Sequence, residues 1–451
     1  MFGEILQKFA EKSPVTVMVY GLLEHLLIPQ KIDAWFESVS EVQYTRKILF
    51  SSIVGVMLQV VCGIRESVHL AYLNSEIDAS RVALYDKLKN VETNTSGELL
   101  RYIAQESGNI IKEINGKNKP ILPGYRVKLI DGNCIESTDH RLKVLRETNA
   151  GALPGKSVVI FDPEFGIAID VIPCEDGHAQ ERSLIPEILK TIEKKDLSVA
   201  DRNFCVLGFL FGIAHAGGFF NIREHKNLPW TPLTELAFAG ETETGKVYEQ
   251  KVMLVSENNE KLEIRRIVVK LNEATRDGEM ELALFTNVPE EDADSVKIAE
   301  IYRLRWGIET AFQKLEKYLN SEINTLAYPK AALFGFCIAL IAFNVYAVVM
   351  AAIRSAYPEN NINEEISEYY IAKEISATYN GMEIIVPDEE WAIFRGGTVS
   401  EVGRLLLELA SRMDLLKFKK HKRGPKKPPL PKSKHKGKPH VSTAKLLAQA
   451  T

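Results

Sequence analysis

Two aspartates in this chain stand where short β-rich runs end: Asp131 in LIDGN and Asp201 in VADRNF. Acids at strand ends, beside Gly or polar turn residues, are where open α/β sheets present functional groups, although Asp is also an ordinary turn residue. A third carboxylate on a helix packed beside those ends would complete a set of hard oxygen ligands suited to divalent cations. The segment IYRLRWGIETAFQKLEKYL supplies candidates. Tyr302, Arg305, Glu309, Gln313 and Glu316 recur at spacings of 3, 4, 4 and 3, which puts them on one helical face. A solvated stripe, or a plain i,i+4 ion pair between Arg305 and Glu309, has the same spacing. The neighbours Trp306, Ile308 and Phe312 are not those of an exposed helix, and spacing alone leaves both readings open.

The elements that must position these residues follow from periodicity. Residues 1–118 read as a helical N-terminal domain, with mixed three- and four-residue apolar spacing. Within it, 66–90 reads as helix, short turn, helix, with Ser80 as N-cap and Arg81, Tyr85, Lys87 and Lys89 on the second helix. That pattern fits a DNA-reading helix-turn-helix or two ordinary helices meeting at a turn. Residues 119–225 alternate differently. RVKLIDGN, SVVIFD and GIAIDVIP are strands, HAQERSLIPEILKTIEK an amphipathic helix, LSVADRNF a strand, CVLGFLFGIAHA a helix and GFFNIREH a strand. The expected class is α/β (α+β overall), a mixed sheet with helices on its faces. Residues 226–288 form a β-rich insertion, and 289–354 return to helix, with Asp294 capping one long helix through Leu319. Residues 355–414 are mostly helical and acidic. The segment 415–451 is rich in Pro and Lys, which predicts a disordered basic tail.

Composition bounds the rest. The 451 residues are 45% hydrophobic and 26% charged, ordinary for globular domains and enough for about three of them. The net charge of −4 conceals a split: 415–451 carries twelve Lys/Arg and no acid, leaving 44 basic against 60 acidic residues before it. Five scattered cysteines without a CxxC pair fit reduced thiols in a cytoplasmic protein and give no zinc framework. The first residues lack the pattern of a signal peptide. Ala331 to Ile353 is long enough to cross a bilayer, but seven of its 23 residues are alanine and Asn344 interrupts it, so a buried core helix is expected and no membrane association.

Together these residues resemble a known family. Tyr302, Arg305 and Glu309 as Y-x2-R-x3-E, with DGN at Asp131 and DRNF at Asp201 before them, are similar to the signature of DDE (Asp-Asp-Glu) transposases of insertion-sequence family four, the YREK group. The order of the acids, the β-rich insertion between the second and third, and GALPGKSVVIFD, EDGHAQERSL, NSEINTLAYPKAALFGFC and RGPKKP...HVSTAKLL extend the resemblance along the chain. It implies an RNase H-like core in which Asp131, Asp201 and Glu309 are catalytic and hold two Mg²⁺ ions, with Mn²⁺ as a substitute. Two metals about 3.5–4 Å apart serve the attacking and leaving oxygens of phosphodiester chemistry. The implied reaction is cleavage at transposon ends and transfer of the 3'-hydroxyl to target DNA. The implied partners are terminal inverted repeats and target duplex, with a homodimer pairing two ends. Tyr302 and Arg305 would bind DNA phosphate. The sequence departs from the signature at Glu316, where the family has Lys. Lys317, one residue on and about 100° round the helix, is the substitute candidate for DNA binding. The YxxRWxIE context selects Glu309 over Glu316 as third acid.

Other DNA-binding candidates are Arg202, which either meets phosphate or neutralises the acids, and Trp230 in NLPWTP, which either stacks on an extruded base or belongs to a loop or core. His178, Glu181 and Arg182 either approach the site or begin a solvated helix. The alternative function is a catalytically inactive, DNA-binding descendant of a transposase. A membrane protein anchored by 331–353 is a further class, which detergent-free solubility would exclude, and a sugar hydrolase with paired carboxylates is another, which lacks an aromatic-rich cleft signature and does not explain the basic tail.

Overall fold

The alternating runs after residue 125 join into one ten-stranded sheet. The computed structural model describes residues 2–43, 47–135, 138–275, 278–421 and 439–450. In chain order the strands of the sheet are β1 (Arg126–Cys134), β2 (Lys156–Asp162), β3 (Ile167–Cys174), β4 (Asp196–Ala200) and β5 (Phe219–Arg223). They continue as β6 (Thr231–Pro232), β7 (Ala237–Thr242), β8 (Gly245–Val255), β9 (Lys261–Leu271) and β10 (Glu281–Thr286). The spatial order is β3-β2-β1-β4-β5-β10-β9-β8-β6, with β7 also on β8. β1, β2 and β3 form an antiparallel meander, while β4 runs parallel to β1 and β5 parallel to β4. Helix Leu207–His215 makes the crossover from β4 to β5. This order and polarity is the RNase H-like arrangement that the resemblance implies.

Period-two alternation decides what each face carries. Leu129 and Val199 enter the larger core, which also holds helices Thr93–Glu113 and Pro329–Ala356. Ile130, Ala200 and Ile222 enter a second core with Phe209 and Leu210 of the crossover helix. β4 is buried along its whole length, and its buried Asp196 is paired with Lys128 of β1 at 2.6 Å. The strands of 226–288 continue this same sheet, because β10 pairs antiparallel with β5. Buried Arg265 on β9 clamps the extension to the next helix. Its Nε and Nη2 donate to the Glu249 carboxylate at 2.7 and 2.9 Å, and its Nη1 donates to the carbonyls of Val288 and Ala293.

The alanine-rich helix Pro329–Ala356 is the hub of the α-helical part, and its most apolar stretch is 94% buried. Small residues let helices Pro14–Leu26, Phe50–Val61, Thr93–Glu113 and Val399–Ser411 approach it. Asn344, the polar interruption, bonds both backbone groups of Ala168 at 2.8 Å and so satisfies a buried stretch of β3. Residues 66–90 give helices Val68–Leu73 and Arg81–Lys89, with Ser80 Oγ accepting the Ala83 N–H as expected of an N-cap.

Four expectations need correction. The helix from Asp294 is two helices, Ser295–Arg303 and Trp306–Tyr318, because Leu304, Arg305, Gly307 and Ile308 all donate to i−3 carbonyls and shift the helical phase. The segment HAQERSLIPEILKTIEK holds only a 3-10 turn, Glu181–Leu184, and a short helix, Ile185–Leu189, whose first turn contains Pro186. LSVADRNF leaves the sheet after Ala200, and Arg202–Phe204 is a 3-10 turn. The described ends of 415–451 are ordered: Phe418 is buried, and Lys419 bridges to Ile366. His440–Ser442 pairs parallel with Gly151–Leu153, and Thr443–Gln449 follows as a helix. Val441 and Leu446 give this end an apolar side that packs on Leu145, Ala152 and Ala327. Residues 422–438 of the expected tail lie outside the described residues.

Candidate active site

The two aspartates share one tier of the sheet. Ile130 is level with Ala200 across the parallel β1–β4 pair, so Asp131 and Asp201, one residue on, leave the strands side by side. Both fall in phase with Leu129 and Val199, on the face against which helix Trp306–Tyr318 packs. Ile308, Ala311 and Leu315 seat that helix, which brings Glu309 in its first turn over the strand ends. Asp201 also caps its own 3-10 turn, its Oδ1 accepting the Asn203 N–H at 2.8 Å.

Arg305 ties the constellation together. Its Nη1 donates to Asp131 Oδ2 at 3.1 Å and its Nη2 to Glu309 Oε1 at 2.7 Å. Burial pushes the Asp131 carboxyl up to about 7; the charges of Asp201 and Glu309 add to this, while Arg305 and the Gly132 N–H oppose it. Burial likewise raises Asp201, against the Asn203 N–H and the guanidiniums of Arg305, Arg202 and Arg223. Tyr302, at the end of the preceding helix, is buried with its hydroxyl pushed up to about 12, and the Arg305 guanidinium carbon lies 6.0 Å from its ring centre. Arg305 therefore acts as the cation between two acids that repel each other. Among the described residues no three acidic, His or Cys side chains converge as a ready metal cage. The expected three-carboxylate cluster is in this conformation a pair of tier aspartates and a glutamate joined through Arg305. The donor set still suits a divalent ion, since all three acids offer hard oxygens and the most buried is destabilised when charged.

Other expected residues fall as follows. Arg202 does not pair with the acids: its Nη1 donates to Glu279 Oε1 at 3.1 Å. Lys317 is exposed in the helix's last turn, about 12 Å along the axis from Glu309, and is not brought to the acids. Lys314 is bound to Glu368 at 2.7 Å, and Glu316 lines a small cleft with Asn133 and Cys134. Trp230 donates its indole N–H to Glu224 at 2.8 Å, and one ring face is covered by Arg266 at 4.8 Å. Both the indole N–H and one ring face of Trp230 are thus engaged within the chain. Of the GHAQERS residues, Glu181 does reach the site: a Cβ on Gly132 would collide with its carboxylate, and Asn203 Nδ2 donates to it at 3.2 Å. Arg223 was not singled out by the sequence. It follows Ile222, which is level with Ala200, and so stands beside Asp201 on the same tier.

Residues 122–345, which contain all three acids, match the family model of a transposase DDE domain. This chain carries a transposase DDE domain. InsL of insertion sequence element IS186A from Escherichia coli K12 is 22% identical to this transposase-like chain over 350 residues, covering 69% of it and 88% of InsL. The transposase of IS421 from Escherichia coli is 22% identical over 351 residues, with the same coverage. Among solved structures, a piggyBac transposase synaptic complex with hairpin DNA aligns with a TM-score of 0.40 at 9% identity, covering 82% of each chain.

Proposed function

We propose that this chain is a DNA transposase that cuts at the ends of its own element and joins the freed 3'-hydroxyl to target DNA. The observation that carries this reading is the shared tier of Asp131 and Asp201 under a helix that presents Glu309, all inside the matched DDE domain. Asp131, Asp201 and Glu309 would hold Mg²⁺, or Mn²⁺ in its place. Bound there, two such ions supply a more acidic water or 3'-hydroxyl and positive charge at the leaving oxygen. Arg305, whose planar guanidinium bridges Asp131 and Glu309, has the donor geometry to hold a backbone phosphate bidentately beside those acids. Tyr302, behind it, fixes the direction in which Arg305 reaches. Transposition joins two ends, so the working form is a homodimer on terminal inverted repeats, acting in the cytoplasm on nucleoid DNA.

Nicking of a plasmid carrying the element's ends tests this. The wild type should nick it with Mg²⁺ or Mn²⁺. Asp131→Asn, Asp201→Asn and Glu309→Gln should each lower the rate about a hundredfold or more while still binding DNA. Full metal-dependent cutting by Asp131→Asn would overturn the assignment.

A further inference from the structure

The acid tier also holds a pair of cations that share one ion-pair partner among the described residues. Arg202 follows Asp201 in sequence, and Arg223 ends β5 level with it. Both reach Glu279, in the connection from β9 to β10: Arg202 Nη1 donates to Oε1 at 3.1 Å, and Arg223 Nη2 donates to Oε2. One anion gripped by two guanidiniums, from a 3-10 turn and a strand end, is the way arginine pairs hold a phosphate. The contact is open to solvent, with side chains 42% exposed at Arg202, 20% at Arg223 and 22% at Glu279. Glu279 is presented by a local turn, where its N–H donates to Thr275 Oγ1 at 3.1 Å and its carbonyl accepts the Thr275 N–H at 2.8 Å.

We propose that Arg202 and Arg223 form a phosphate subsite for the DNA strand entering the acid tier, and that Glu279 is its internal occupant, displaced when DNA binds. This rests on the transposase reading. A phosphodiester carries one negative charge, as does the carboxylate it replaces, so the exchange leaves the charge beside Asp201 unchanged. Glu279 keeps the two cations from being drawn onto the neighbouring acids before DNA arrives. It also sets a threshold that isolated weak anions do not cross.

The test uses the full-length protein with two probes: a short fluorescent duplex of arbitrary sequence, and inorganic pyrophosphate read by thermal shift. Glu279→Gln should bind the duplex about threefold to tenfold tighter at fixed salt, the gain of uncovering charge-assisted phosphate contacts under screening. It should also gain a stabilisation by pyrophosphate that the wild type lacks, and adding Arg223→Gln should cancel both gains. Unchanged or weaker binding of both probes, at an unchanged melting temperature, overturns the proposal. A gain with pyrophosphate alone overturns its DNA half. If Glu279→Gln melts early, Arg223→Gln in the wild-type background decides: the subsite requires at least about threefold weaker duplex binding, whereas a purely structural clamp leaves affinity unchanged. Failure of the transposase reading itself shows separately, as absent nicking by the wild type.

Discussion

Asp131 carries the sharpest conflict in the site. Burial first, then the charges of Asp201 and Glu309, lift its carboxyl from 3.8 to about 7 against the pull of Arg305. The folded chain therefore holds a proton there that the unfolded chain has lost, and this group makes the metal-free protein less stable as pH rises through that window. Asp131→Asn removes the conflict. It should stabilise the metal-free protein by about 1–3 kcal/mol at about pH 8 and by much less at about pH 4. Thermal melts in chelator check this, and an equal gain at both pH values would contradict it. Both aspartates were legible because each ends an apolar run at a polar turn. Arg223 ends GFFNIREH in the same way, but a single cation at a strand end suggests no chemistry until its neighbours are known. Its partner Glu279 is 56 residues away, a pairing that no local pattern encodes.

At the scale of elements, short β-rich runs bounded by turn residues located β1, β2 and β3, and alternating polarity located β8, β9 and β10. Spacing arithmetic failed on the glutamate helix. It assumes a constant helical phase, and the i−3 bonds at Leu304 through Ile308 remove that constancy, so Tyr302 meets Arg305 across a break. The first half is held by the Arg265 clamp, which joins β8 and β9 to the start of helix Ser295–Arg303, and the second is seated by Ile308, Ala311 and Leu315. Burial pushes the Glu249 carboxyl up, but the bonds from Arg265 and Ser295 outweigh it and hold the carboxyl below its ordinary value. Such a group stabilises the fold above the ordinary carboxylate range and loses that contribution as pH falls through its depressed value. Arg265→Met leaves Glu249 half-buried without its cation. It should cost about 3–5 kcal/mol near neutral pH, with a smaller deficit in acid. Urea unfolding at the two pH values measures both.

The whole molecule is polarised, with 60 acids against 44 bases before residue 415 and twelve bases after it. The described ends of that basic stretch are fixed to the body. Phe418 packs into the body, and His440–Ser442 pairs with Gly151–Leu153, so the ends are anchored. Eight of the twelve bases fall in 422–438. Replacing those eight with Gln should flatten the slope of log affinity against log salt by several units, about 0.9 for each phosphate no longer neutralised, while leaving melting temperature unchanged. Titrating DNA binding at several salt concentrations reads the slope, and an unaltered slope would mean that other cations neutralise the phosphates. The central claim is that Asp131, Asp201 and Glu309, now joined through Arg305, close on one metal centre. Iron-directed cleavage tests it most directly: Fe²⁺ takes the place of Mg²⁺ on oxygen ligands, and with ascorbate and peroxide it cuts the backbone beside the groups that hold it. Cuts clustered at residues 131, 201 and 309, all abolished together in Asp131→Asn, are the expected result. Cuts at the two aspartates without residue 309, or a pattern that Asp131→Asn leaves intact, would contradict it.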